Sequence, residues 1–225
     1  MTPRQVPTRP ARVRFGGIQT PAGFLFELTG GRLCLDLANT LDERRSGQPR
    51  ERLRSYDDLV DWGVQAGAIT RGEKARLLAF AAAEPAAGRR ALQRAVRFRE
   101  AAFDVFSAIA HGRAIPERAF DELNRTIARA LSRRRLEPHR GRFRWSFEAG
   151  SPLDLDRVLW AAACSVADLL TSPDVDRARE CEGTGCAWLF VDTSKNRTRR
   201  WCDMSVCGNR AKARRFHAKR GERPQ

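Results

Sequence analysis

The chain has 225 residues, 42% of them apolar, which is enough for one domain of about 150–200 residues plus a small module. Its formal net charge of +15 is lopsided: residues 177–225 hold 13 Lys/Arg against 5 Asp/Glu, and residues 1–15 add four arginines and no acid. A run of 18 apolar residues is lacking, which excludes a membrane-spanning helix, and the N-terminal stretch is too polar for a secretory signal, so a cytoplasmic protein is expected.

Residues 1–20 are rich in Pro, Arg and Gly and read as a flexible basic arm. AGFLFEL (22–28) reads as a strand ended by Gly30-Gly31. LCLDLANTL (33–41) is ambiguous, since Leu33, Leu35, Leu37 and Leu41 alternate as in a strand while Leu33, Leu37 and Leu41 also suit a helix. Ser55 with Asp58, and Thr70 with Glu73, have the spacing of capping boxes and start two helices. A long helix is predicted over about 86–111, with Leu92, Val96, Arg99, Phe103, Phe106 and Ala110 on one face and Gly112 ending it. Pro116 opens another helix carrying Phe120, Leu123, Ile127 and Leu131. Residues 134–148 look like a hairpin turning at His139-Arg140-Gly141. A helix then opens near Ser151-Pro152, faces Leu155, Val158, Leu159, Ala162, Val166 and Leu169 inward, and stops before Pro173. The pattern gives an α+β fold: a helix-rich body with a small β element over 21–173, and a C-terminal module over 177–222.

Four of the six cysteines lie within that module, as Cys181-x4-Cys186 and Cys202-x4-Cys207 separated by fifteen residues. Two close pairs joined by a loop are what tetrahedral Zn2+ needs, and four thiolates leave no open position for a catalytic water. One structural zinc is therefore expected, with two disulfides as the alternative in an oxidising compartment. The intervening AWLFVDTSKNRTRRW reads as a hairpin with Trp188, Phe190 and Trp201 on one face, and GNRAKARRFHAKR after Cys207 as a helix whose Ala213 and Phe216 pack on that hairpin. Knuckle, hairpin and ligand-bearing helix make a treble clef. Such a module is expected to lose its fold on its own when a ligand is removed. The lone Cys34 and Cys164 sit in apolar patterns and read as buried small hydrophobes.

Concentrated arginine beside a rigid metal fold is the footprint of a polyanion binder. Compositional bias accounts for 38 of the 42 cations being arginine, but not for their clustering at one end. On the last helix Arg210, Arg214 and His217 share a face, flanked by Lys212, Arg215 and Lys219; Lys195, Arg197, Arg199 and Arg200 form a second basic group. Solvated surface charge, or compensation of the zinc–thiolate charge, is the alternative for each, Arg210 above all. Asp36, Asn39 and Thr40 are polar groups inside an apolar segment: they either line an effector pocket or cap neighbouring turns. His111, His139 and His217 lie in unlike contexts, and neither GxSxG nor HExxH occurs, so an enzyme is not expected.

WCDMSVCGNRAKARR, centred on Cys207-Gly208-Asn209-Arg210, resembles the CGNR-type zinc finger, and GRLCLDLANTL (31–41) with SYDDLVDWG (55–63) is similar to the opening motifs of the ABATE domain that accompanies that finger. The resemblance spans nearly all the chain after residue 22. It implies a stress-linked bacterial transcription regulator, with an effector-sensing N-terminal domain and a finger for DNA. RNA as the ligand, or a protein-interaction adaptor, are the competing readings. A homodimer and association with the nucleoid are further expectations.

Overall fold

The computed structural model describes residues 16–21, 23–147 and 154–221. Residues 1–15 of the expected flexible arm, the helix opening at Ser151-Pro152 and the module's last expected residue, 222, lie outside them; the end of the arm, 17–20, is a paired strand and not loose chain. Strands β1 (Gly17–Thr20) and β2 (Gly23–Phe26) form an antiparallel hairpin, followed by helix α1 (Leu33–Ala38). The helical alternative thus holds for the ambiguous segment, although six residues are too few for periodicity to declare it. A two-residue pair, β3 (Leu41–Asp42) with β4 (Arg50–Glu51), closes the loop that follows.

Helices α2 (Tyr56–Gln65), α3 (Arg71–Ala83), α4 (Pro85–Ala110) and α5 (Glu117–Ser132) come next. Both capping boxes form: Ser55 Oγ accepts from the Asp58 amide while Asp58 accepts from Ser55, and Thr70 and Glu73 repeat the exchange. The hairpin β5 (Arg134–His139) and β6 (Arg142–Phe147) pairs Leu136 with Trp145, and leads to α6 (Arg157–Leu170). A 3-10 turn at Pro173–Arg177 enters β7 (Ala178–Glu180), which pairs with β8 (Leu189–Val191). A π-helical turn at Met204–Gly208 runs into α7 (Asn209–Gly221). The described strands form four separate two-stranded sheets in a helical framework, an α+β architecture. Among the described residues no helix is long and apolar enough to cross a membrane.

The core forms where α1, α4, α5 and α6 meet. All six inward positions expected on α6 and its approach, from Leu155 to Leu169, are buried. On α4 the buried stripe is Ala91, Ala95, Phe98, Ala102 and Val105 with Arg99 and Phe106, and Leu92, Val96, Phe103 and Ala110 lie at its flank, only partly buried. Small alanines set that face because α1 and α5 cross it closely; the bulkier residues mark the shoulder. Arg99, 2% exposed, is held by Glu51 in a two-pronged pair at 2.6 and 2.7 Å and by Glu100 at 2.7 Å, so its charge is matched on every side. Cys34 and Cys164 are buried free thiols, and burial pushes the Cys34 thiol up to about 12.

Candidate metal centre

The sulfurs of Cys181, Cys186, Cys202 and Cys207 all lie within 4.8 Å of one another, and all four residues are buried. Cys202 Sγ stands 3.7 Å from both Cys186 Sγ and Cys207 Sγ. Four sulfurs at about 2.3 Å from a tetrahedral zinc define edges of about 3.8 Å, whereas a disulfide needs about 2.05 Å. The geometry fits one structural zinc and not paired disulfides. Hydrogen bonds from Cys186, Cys202 and Cys207 push the Cys181 thiol well below its ordinary pKa. The reciprocal bond to Cys181 pushes Cys186 upward, and Cys202 follows for the same reason. A metal cation bound here would replace the thiol protons of all four ligands.

Local chemistry shapes each knuckle. Gly185 (φ +81°) and Ala187 (φ 61°) take left-handed backbone on either side of Cys186, and the Gly183 amide donates to Cys181 Sγ at 3.4 Å. A Cβ at Gly183 would sit 2.9 Å from Cys207 Sγ, so only glycine leaves room for the sulfur. In the second knuckle Asp203 accepts from the Val206 amide at 2.9 Å and starts the turn that delivers Cys207. The hairpin expected between the cysteine pairs forms elsewhere. β8 pairs with β7, ahead of Cys181, so the strands flank the first knuckle, and residues 199–201 return without strand pairing beyond one bond from the Glu182 amide to the Arg200 carbonyl at 3.0 Å. Phe190 and Trp188 still cover the metal cluster, with Trp201 at its edge.

β8 also joins the finger to the body. Asn39 bridges the backbone of Leu189: its side-chain amide donates to the Leu189 carbonyl at 2.9 Å, and its oxygen accepts the Leu189 amide at 2.8 Å. The Val191 amide donates to the Gly30 carbonyl at 2.9 Å. Glu180, buried on β7, accepts from Ser107 Oγ at 2.6 Å and pairs with Arg45 at 2.6 Å. The other polar groups of the LCLDLANTL segment also turn to the protein. Asp36 accepts the Gly30 amide at 2.8 Å, and burial raises its carboxyl to about 6. Thr40 donates to the Leu37 carbonyl at 2.8 Å and receives Arg99 at 3.3 Å. The polar signal in the sequence located these residues without revealing partners up to 150 positions away.

The basic residues divide in two. Lys195 and Arg197 are exposed in the turn after β8, and Arg210, Lys212, Arg214, Arg215 and His217 are exposed along α7; the side chain of Lys219 lies outside the described residues. Arg199 instead braces the finger: its Nε donates to the Trp201 carbonyl at 2.9 Å, another nitrogen reaches the Cys202 carbonyl, and its guanidinium lies 4.3 Å over Phe190. Arg200 pairs with Glu182 at 2.7 Å and stacks 5.4 Å over Trp201. Ala213 and Phe216 are exposed, Phe216 by 57%, so α7 projects from the finger and does not pack on a hairpin.

Residues 177–220 match the CGNR zinc finger, and residues 31–173 match the ABATE family, whose description is "Putative stress-induced transcription regulator". No curated protein matches the chain. Both descriptions are regulatory or metal-binding, and neither names a reaction. With well over half of its length inside the larger match and four cysteines placed for one structural zinc, the chain belongs to the ABATE family and carries a CGNR zinc finger.

Proposed function

We propose that the protein is a zinc-dependent DNA-binding transcription regulator, with residues 21–173 as an effector-responsive body and 177–222 as the DNA-binding finger. One observation carries the reading. Helix α7 starts at the metal through Cys207, contains no acidic residue, and exposes Arg210, Lys212, Arg214, Arg215 and His217. A cationic helix anchored at one end through Cys207, one of the four zinc ligands, presents charge at defined spacing with little entropic cost. Lys195 and Arg197 add a second phosphate-directed group on the adjoining turn. Arg200 reaches a phosphate only by exchanging Glu182, and Arg199 contributes by holding the finger's shape. A finger of this size buries little surface, so specific binding draws on a second copy of the chain or on the basic arm at 1–15.

The test is a titration of labelled duplex DNA at several salt concentrations, with single-stranded RNA as competitor. Neutralising about five phosphates gives a slope of log affinity against log salt of about −4.5. Arg197→Ala flattens that slope and weakens every sequence alike, while Arg214→Ala, mid-helix where a side chain reaches a groove, costs about 1–3 kcal/mol at the preferred site. Salt-independent binding, or an Arg197/Arg214 double variant that binds as well as wild type, would remove the DNA reading. Preferential capture by RNA would redirect it.

A further inference from the structure

Helices α4, α5 and the start of α6 enclose a cleft of about 440 Å3, within the range of small-molecule sites. Five guanidinium groups line it: Arg94 and Arg97 from α4, and Arg125, Arg129 and Arg133 along α5 and its C-terminal end. The spacing is helical. Residues 125, 129 and 133 stand one turn apart on one face, and 94 and 97 form a matching pair across the gap.

Two of these cations already have partners. Arg94 Nε reaches both carboxylate oxygens of Asp156 at 2.8 Å, and Arg125 pairs with Glu122 at 2.7 Å. Among the described residues, the guanidinium groups of Arg97 and Arg129 make no hydrogen bond or ion pair, although Arg129 lies near enough to Asp156 to favour its charged form, and the guanidinium of Arg133 has only the Trp160 ring at 6.0 Å. Asp154 is the remaining carboxylate in the wall, so the cleft keeps a positive surplus of two. Its floor is apolar, formed by the buried Leu159 and Trp160.

We propose that this cleft binds a phosphorylated small molecule carrying at least two negative charges. Three guanidinium forks with no carboxylate hydrogen-bonded to them line one concavity, and the planar fork matches phosphate oxygens in pairs. A single carboxylate would occupy one fork and leave two charges facing each other. The indole floor accepts the ligand's uncharged part. Walls on three sides suit a small anion, whereas a duplex backbone needs an open surface. Helix α4 runs from this cleft to Ser107, which holds Glu180 of the finger's first strand. The regulatory meaning of the site therefore rests on the effector reading above, but its occupancy does not.

The experiment uses the full zinc-loaded chain without DNA, titrated with sodium pyrophosphate by calorimetry at ionic strength held constant with NaCl. Expected are saturable binding of one pyrophosphate per chain and a raised melting temperature. Arg129→Ala combined with Arg133→Ala weakens binding at least about tenfold. Arg118→Ala, on α5 outside the cleft, leaves it unchanged; heat from zinc extraction would persist in the Arg129/Arg133 double variant, so its loss there assigns the heat to the cleft. Both altered arginines are exposed, and an unshifted melting temperature without ligand confirms that the double variant folds. Arg129→Lys retains part of the affinity, because charge survives and the fork is lost. Heat matching the NaCl control, or undiminished binding by the double variant, overturns the proposal. So does loss of duplex binding in that variant when pyrophosphate does not bind wild type, which would make these arginines a nucleic-acid contact.

Discussion

Glycine 183 carries no side chain because the Cys207 and Cys181 sulfurs occupy the space where its Cβ would be, at 2.9 and 3.3 Å. Gly183→Ala should therefore weaken zinc binding by roughly tenfold to a hundredfold, the usual effect of disturbing groups behind metal ligands, read by competition with a chromophoric chelator. Wild-type affinity in that variant would show that the knuckle yields without strain. Glu27 offers a test of charge. Burial, with Asp203 and Asp42 nearby, raises its carboxyl from 4.5 to about 7. The native state then binds more protons than the unfolded chain between these values, so stability is greatest below 4.5 and falls as pH rises through 7. Across pH 5–7, Glu27→Gln should flatten the decline in melting temperature; an unchanged slope assigns the decline to other groups. The metal ligands were legible in the sequence because their spacing is short and local. The role of Gly183 was not, since it depends on where a cysteine 24 positions later returns.

At the scale of elements, reading succeeded where caps and turns are local and failed where pairing is remote. The two capping boxes and the start at Pro116 need only neighbours three residues away. Residues 189–191 are buried on both faces, so they show no alternation, and nothing local says that their partner strand precedes Cys181. The stripe on α4 lies one shoulder away from the bulkiest side chains, because close helix crossing favours alanine on the buried face. Arg99 was placed on that helix face without its partners, which come from α4 itself, β4 and Thr40. Glu51→Ala leaves the buried guanidinium with Glu100 as its one bonded carboxylate, beside Thr40, and should cost about 3 kcal/mol, the lower end for breaking a buried pair, measured by urea denaturation. Asn39→Ala removes both hydrogen bonds to Leu189 and should cost about 1–3 kcal/mol, with faster exchange of the Leu189 amide. A stability loss below 0.5 kcal/mol, roughly the lower edge of a single hydrogen bond, would leave this bridge without energetic weight.

Across the whole molecule, the finger and the body share a core. Ala178, Leu189 and Val191 are fully buried among the body's apolar side chains, although they lie in the segment that matches the zinc finger. Burial of a Val or Leu side chain is worth about 1.5–3 kcal/mol, so two of them contribute about 3–6 kcal/mol, a large share of a typical 5–15 kcal/mol stability. Zinc fixes the knuckle that aligns β8 against Asn39 and the Gly30 carbonyl, and metal binding in such modules is folding free energy. Removing the metal should therefore not confine unfolding to the last 50 residues or so, as a separate module would on sequence grounds. Losing those contacts should lower the body's own melting transition by roughly 6–24 °C, at 2–4 °C per kcal/mol for a chain of this size. Hydrogen exchange after chelation, or in Cys202→Ser, should speed up in α1 and near Ser107 as well as in the finger. A body transition at its holo temperature, with protection in α1 intact, would show that the shared core holds without the metal and that the finger behaves as an independent unit.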